Sequence, residues 1–96
     1  MKPSIAFEQN RTLVREVVVR YPTTNPRIFG SVLHGTDEEG SDLDLVVDAL
    51  PGATMGDLNE LEDELSERLG VPVHVKTANE LSKYFRDDVL AEAEPV

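Results

Sequence analysis

Two carboxylates and a glycine-serine pair are the residues in this sequence best suited to chemistry. Asp42 and Asp44 flank a single leucine, so on a β-strand both side chains point to the same face. Neighbouring carboxylates repel each other unless a cation lies between them, and Mg²⁺ prefers oxygen ligands of this kind. Gly30 and Ser31 supply flexible backbone and a hydroxyl at a turn that can present N–H groups to an anion. Together they predict a site for phosphoryl or nucleotidyl transfer.

The spacing of Gly30-Ser31 and Asp42-X-Asp44 resembles the signature of the DNA polymerase beta-type nucleotidyltransferase superfamily. The length of the chain points to its minimal nucleotidyltransferase (MNT) branch. The resemblance implies an α/β (α+β) fold with a palm-like core, in which three helices accompany a small mixed sheet of three to four strands. It also implies that Asp42 and Asp44 are catalytic residues that hold Mg²⁺, with Mn²⁺ as an alternative. ATP would be the nucleotide donor, with Gly30 and Ser31 on its terminal phosphates.

Both histidines occupy positions where the resemblance implies another residue. His34 stands where relatives commonly carry a basic residue, usually Arg, so it is a candidate contact for the triphosphate; an exposed loop histidine is the alternative. His74 stands where relatives usually carry a third Asp, which completes the metal site and can act as the base. His74 could itself accept a proton as the catalytic base, and it would ligate Mn²⁺ or Zn²⁺ better than Mg²⁺. The alternative is a partly buried counter-ion to the two carboxylates.

The elements that position these residues follow from the apolar periodicity. Apolar stripes predict three helices, over 7–21, 54–69 and 77–93, with a strand at 17–19 as the alternative to the end of the first. Strands are predicted over 26–32, 42–48 and 71–76, with a helical turn at 32–35 and a loop at 36–41. A strand-helix-strand unit usually crosses over to a parallel neighbour, so we expect the third strand to start beside Asp42 and Asp44.

Other side chains have predicted structural roles. Thr54 and Asp57 form the pattern of a capping box at the start of the second helix. Asp48 shares a face with Asp44, but four residues of strand is roughly 13 Å, too far to share a metal ion. Tyr84 and Phe85 are predicted to lie in the core, because the chain has few aromatic side chains with which to build one.

Composition limits the function classes. The 96 residues predict a single domain, 1–96, and the net charge of −10 makes the molecule a poor match for nucleic acid. The absence of cysteine excludes disulfides and Cys-ligated zinc, and favours a cytoplasmic location. No apolar run approaches the length of a membrane span, and residues 1–6 do not resemble a signal peptide.

Two functions remain open at this point. Many MNT proteins, as the resemblance implies, are encoded beside a HEPN-type ribonuclease toxin; they act as antitoxins, and some transfer AMP to a tyrosine of the toxin. The first hypothesis is therefore an enzyme that transfers AMP from ATP to a hydroxyl of such a partner, which would also supply the acceptor site. The second is an MNT-fold binding module that neutralises the toxin by contact alone, which His74 in place of Asp favours.

Overall fold

A mixed four-stranded sheet packed against helices is the framework of the computed structural model, which describes residues 1–96. The elements in chain order are α1 (Pro3–Gln9), α2 (Arg11–Val18), β1 (Thr23–Phe29), α3 (Gly30–His34), β2 (Leu43–Ala49), α4 (Met55–Leu69), β3 (Val73–Thr77), a 3-10 turn (Ala78–Glu80), α5 (Arg86–Glu92) and β4 (Glu94–Pro95). The predicted α/β class and small mixed sheet are confirmed. Five α-helices replace the predicted three, because the first is divided and the predicted turn after β1 is a helix of its own.

The strand order is β3-β2-β1-β4, which puts β2 between β1 and β3. β2 pairs antiparallel with β1 and parallel with β3. Asp44 lies opposite Phe29 on β1 and opposite His74 on β3. The expected parallel pairing is therefore confirmed, and it brings the start of β3 to the two aspartates.

The residues of β2 alternate between two faces of the sheet. The odd-numbered residues from Leu43 to Val47 belong to the hydrophobic core, which they share with residues of α1, α2 and α4. The even-numbered residues Asp44, Val46 and Asp48 lie on the opposite face, which we call the open face; Val46 is fully buried there, between its neighbours. Polar side chains on β2 are thus separated from the core by strand alternation alone.

Helix α4 follows its sequence pattern closely. Asp57 N–H donates to Thr54 Oγ1 at 3.1 Å, and Thr54 N–H donates to Asp57 Oδ2 at 2.9 Å, so the predicted capping box is present. Four buried leucines face the core from this helix: Leu58, Leu61, Leu65 and Leu69. Burial of each of these leucine side chains stabilises the fold by roughly 1.5–3 kcal/mol, so α4 contributes strongly to the packing against the sheet.

Side chains of α4 also cover the outer edge of β3. Val73 N–H donates to Ser66 Oγ at 3.0 Å, and Val75 N–H donates to Glu62 Oε2 at 2.8 Å. An unpaired strand edge is a template for pairing with another chain, and these contacts occupy it. Glu62 therefore has a structural role at this edge, although it is an acidic residue on the surface of α4.

The predicted helix over 7–21 is wrong in its continuity. The chain leaves helical geometry at Asn10, whose φ is −132°, and the Asn10 side chain donates to Ala6 O at 2.7 Å. Two shorter helices, α1 and α2, result. The alternative strand at 17–19 is also wrong, because Val17 and Val18 complete α2 with their side chains buried in the core.

The other boundaries differ in ways that affect the site. β1 begins earlier than predicted and ends at Phe29, because Gly30 adopts a φ of +72° and begins α3. The predicted helix over 77–93 is interrupted: the 3-10 turn ends at Glu80, Leu81 is extended with a ψ of 144°, and α5 begins only at Arg86. No helix of the chain combines the length and the apolar composition needed to span a membrane.

The predicted burial of Tyr84 and Phe85 is wrong. Their side chains are 79% and 64% exposed, in the segment that precedes α5. The core instead has one fully buried aromatic residue, Phe7, among aliphatic side chains. The core is built from valine and leucine on short elements, so it does not need the two aromatic rings.

Candidate functional site

Asp42 and Asp44 lie at the beginning of β2. Asp42 directly precedes the strand and is exposed, while Asp44 is its second residue and is half-buried on the open face. Asp44 neither accepts a hydrogen bond nor forms an ion pair within the chain. A half-buried carboxylate without a donor is costly in a folded protein, so its environment favours an added cation.

Two independent features of the structure require glycine at position 30. Its φ of +72° lies in the left-handed region, which any residue with a Cβ adopts only at a cost. A Cβ on Gly30 would also collide with Asp44 Oδ2 and would lie 3.3 Å from Asp44 Cγ. The backbone at the start of α3 therefore touches the Asp44 carboxylate, and this close approach brings the glycine-serine pair and the carboxylates of the sequence pattern into one site.

The electrostatic surroundings of Asp44 are mixed. Burial raises the pKa of the Asp44 carboxyl above its ordinary value, and the negative charge of Asp42 raises it further. His74 and Lys76 act in the opposite direction and lower the pKa of Asp44, but the raising effects prevail. The folded chain thus disfavours the charged form of Asp44, which indicates that positive charge is missing at this carboxylate.

His74 lies where the parallel pairing was expected to put it. It occupies the register position opposite Asp44, and His74 Nε2 is 3.1 Å from Asp42 Oδ2. Both side chains are about half exposed. The contact suits the counter-ion role considered above, and the second ring nitrogen has no partner in the chain. Its role as base or metal ligand stays a prediction.

Ser31 and His34 belong to α3 and differ in their contacts. The Ser31 hydroxyl makes no hydrogen bond within the chain, although the Ser31 carbonyl accepts from Thr36 N–H at 3.0 Å. His34, in the last turn, places Nε2 at 3.0 Å from Glu92 Oε2 of α5. Ser31 is thus adjacent to Gly30 with a free hydroxyl, whereas the ring of His34 is engaged by the closing helix.

The loop between α3 and β2 is anchored by a residue that the sequence analysis missed. Asp37 is only 6% exposed, and its Oδ2 accepts from Ser4 N–H at 2.9 Å, so it caps α1 from outside that helix. This hydrogen bond lowers the pKa of Asp37 against the opposing effect of burial. A buried acid in a loop of acids and glycine has no local sequence signal, because its donor lies far away in the chain.

Asp48 lies at the opposite end of β2, as predicted, and has other partners. Arg27 Nη2 donates to Asp48 Oδ1 at 2.7 Å, and Asn25 Nδ2 donates to Asp48 Oδ2 at 3.0 Å. The one cavity of the chain, of about 270 Å³, also lies at this end, lined by Val47, Asp48, Ala49, Thr77, Ala78 and Asn79. The candidate site is therefore an open surface at the other end of the strand.

The donor set fits a hard cation that shares its ligands with a substrate. Mg²⁺ is usually held by one or two carboxylates together with phosphates and water, and Asp42 and Asp44 supply the carboxylates. No group of three or more His, Cys, Asp or Glu side chains is arranged to hold a metal ion by itself. The residues therefore fit an ion that arrives with phosphate oxygens, and they do not fit a metal held by protein ligands alone.

The mixed sheet, with paired aspartates at a strand start and a glycine-led helix against them, defines a nucleotidyltransferase-type core. The chain belongs to the nucleotidyltransferase domain family, whose model matches residues 11–96. It is 34% identical over 77 residues to a protein of Methanocaldococcus jannaschii named "Putative protein adenylyltransferase", covering 80% of this chain and 83% of that relative.

Solved structures agree with the family. The chain is similar to a structure described as a "putative minimal nucleotidyltransferase", with a TM-score of 0.85, 34% identity, and coverage of 97% of this chain and 95% of the other. It shares the fold of a chain in a toxin-antitoxin crystal structure with AMP-PNP, at a TM-score of 0.77 and 20% identity, covering 90% of this chain and 71% of that one.

Proposed function

We propose that this protein is a metal-dependent nucleotidyltransferase that acts as an antitoxin. It would transfer AMP from ATP to a hydroxyl of a partner HEPN-type ribonuclease toxin. The observation that carries this proposal is the contact between Gly30 and Asp44, because it joins the predicted phosphate turn and the predicted metal ligands in one site. The relative named as a protein adenylyltransferase supports the reaction, and the fold shared with a toxin-antitoxin chain supports the partner.

Each residue has a role that follows from its surroundings. Asp42 and Asp44 would hold Mg²⁺ or Mn²⁺, which supplies charge stabilisation on the phosphate oxygens when bound. The lack of a side chain at Gly30 lets the start of α3 lie against the Asp44 carboxylate, and the free hydroxyl of the adjacent Ser31 is available as a donor to a phosphate group. The acceptor hydroxyl attacks the α-phosphorus and pyrophosphate leaves. The unpartnered ring nitrogen of His74 would take the hydroxyl proton. His34 would approach the triphosphate only by leaving Glu92.

A second function has an observation of its own. His74 contacts Asp42 at the place where a third carboxylate would have added negative charge. The lack of that third carboxylate supports a binding module that retains the fold and inhibits the toxin by contact alone. The acidity of the chain would suit a basic, RNA-cleaving partner in either case.

The test is label transfer from α-labelled ATP to the protein encoded by the neighbouring gene, with Mg²⁺ or Mn²⁺. We expect labelling by the parent and by Asp48→Asn, and none by Asp44→Asn. Asp48→Asn is the matched control, since it removes the same charge from the same face of β2 at the end that Arg27 occupies. Labelling by His74→Asp alone would identify a catalytically impaired site. If no variant labels the partner while the parent still inhibits it, the binding module is correct.

A further inference from the structure

Beyond the carboxylates, the open face carries a second row of side chains across the sheet. The first row is Phe29, Asp44 and His74, which lie opposite one another on β1, β2 and β3. The next row along the strands, which we call the basic row, is Arg27, Val46 and Lys76. Because residues in register share a face, two cationic side chains lie one row away from Asp44 on the face that carries it.

The two cations of the basic row differ in their partners. Arg27 is 16% exposed, and its guanidinium donates to Asp48 Oδ1 at 2.7 Å and to Asn25 O at 3.0 Å. Lys76 is half-buried, and its ammonium forms no ion pair and donates no hydrogen bond. Arg27 is thus committed to its own end of the sheet, and Lys76 is free.

A free, half-buried lysine is unusual in this composition. The chain has 19 Asp and Glu against 9 Lys and Arg, so acidic partners are plentiful. The other two lysines without an ion pair, Lys2 and Lys83, are both exposed, and Lys83 lies over the Tyr84 ring. Lys76 therefore has a partly covered side chain and an unpaired ammonium, which is available to an anion from outside the chain.

We propose that the Lys76 ammonium is a phosphate contact of the nucleotide site. Lys76 and Asp44 lie on adjacent strands one row apart, which puts their Cα atoms about 8 Å from each other, within reach of the four-carbon lysine stem. A phosphate lying over Asp44 is then flanked by Gly30 on the β1 side and by Lys76 on the β3 side. Position 74 on β3 carries a histidine and not a carboxylate, so no acidic side chain on β3 competes with the phosphate for the Lys76 ammonium.

Two further facts agree with this placement. Lys76 lowers the pKa of Asp44, although burial has the larger, raising effect, so the ammonium acts on the carboxylate that the phosphate would approach. The chain has no other cation without a partner in these two rows of the open face. The inference rests on the proposed function for the identity of the ligand, a nucleoside triphosphate, and adds a residue that binds it.

Binding measurements with Mn²⁺ present test the proposal directly. A non-hydrolysable ATP analogue is titrated by calorimetry into the parent, Lys76→Gln and Lys83→Gln, and inorganic tripolyphosphate is used as a competitor. We expect Lys76→Gln to weaken both ligands by about tenfold or more, since hydrogen bonds to charged groups have this strength. Lys83→Gln removes the same charge from an exposed position and should leave both affinities unchanged. Thermal unfolding of each variant shows that the fold is retained.

Several results would overturn the inference. If Lys76→Gln binds both ligands as tightly as the parent, Lys76 does not contact the phosphates. A loss of affinity for the ATP analogue alone would also contradict the inference, because the lysine would then act on the nucleoside or on the fold. A parent that binds neither ligand refutes this inference and the proposed function together. If binding depends on Lys76 but no label reaches the partner protein, the phosphate contact stands and the proposed transfer reaction fails.

Discussion

Substitution of Gly30 by alanine is the most direct test of the site, because two separate effects meet at this residue. The φ of +72° makes any Cβ unfavourable by roughly 1–2 kcal/mol, which lowers the Tm of a domain of this size by roughly 4–15 °C. The new methyl group would also collide with Asp44 Oδ2. The carboxylate can rotate away, so the contact adds little to the loss of stability, but the rotation removes a predicted metal ligand.

Gly70→Ala is the matched control. Gly70 has nearly the same φ, +73°, and a Cβ there would meet no atom within 4 Å. Both variants should therefore lose a similar free energy of unfolding, and only Gly30→Ala should lose binding. We expect the affinity for Mn²⁺ with a non-hydrolysable ATP analogue to fall about 10- to 100-fold in Gly30→Ala, the worth of one charged interaction.

The assay is calorimetric titration of the parent and both variants, combined with thermal unfolding. Equal binding by Gly30→Ala and Gly70→Ala would refute the reasoning, because the contact with Asp44 would then have no bearing on the site. A much larger loss of stability in Gly30→Ala than in Gly70→Ala would also contradict it, since it would mean that Asp44 cannot rotate.

Three further predictions concern charge and exposure. Burial raises the pKa of Asp44, so the folded chain binds a proton at this carboxyl more tightly than the unfolded chain does. Without metal, Asp44→Asn should therefore raise the Tm at neutral pH. The gain should vanish as the pH falls below the ordinary Asp pKa of 3.8. Asp37 behaves oppositely, because its pKa is lower in the folded chain than in the unfolded chain. The resulting stabilisation is fully present above the unfolded pKa and is lost as the pH falls through the folded pKa. Asp37→Asn should therefore lower the free energy of unfolding by about 1 kcal/mol at neutral pH, measured with denaturant. Tyr84→Ser and Phe85→Ser should each change stability by less than about 0.5 kcal/mol, whereas Leu65→Ala should cost about 2–5 kcal/mol; a large loss from either aromatic variant would restore its predicted place in the core.

Local patterns in the sequence predicted the parts of the fold that local interactions determine. The capping box at Thr54 and the leucine stripe of α4 depend on residues three and four apart, and both are present. The break at Asn10 was missed because no glycine or proline marks it in the sequence. Tyr84 and Phe85 were misplaced because hydrophobicity alone does not say whether the segment before α5 packs against the core.

The candidate site divides in the same way. The common face of Asp42 and Asp44 follows from strand alternation, and the position of His74 follows from the parallel crossover. The resemblance implied that Gly30 and Asp44 share a site, but the direct contact between them depends on how closely α3 approaches β2 and is visible only in the structure. The position of Lys76 on the same face as His74 could have been predicted, since it follows His74 by two residues on a strand, but its lack of an ion-pair partner is visible only in the structure.

The site and the core depend on one strand register. Leu43, Leu45 and Val47 are fully buried, and the burial of the three contributes roughly 5–9 kcal/mol. A slip of one residue would turn these side chains to the open face and bury Asp44 among the helices, so the core fixes the register against that cost. The register in turn holds Asp44 against Gly30 and beside His74, in surroundings that raise its pKa. Burial of apolar side chains on the core face of β2 therefore offsets the cost of holding Asp44 on its open face, so Asp44 keeps its position without hydrogen bonds of its own.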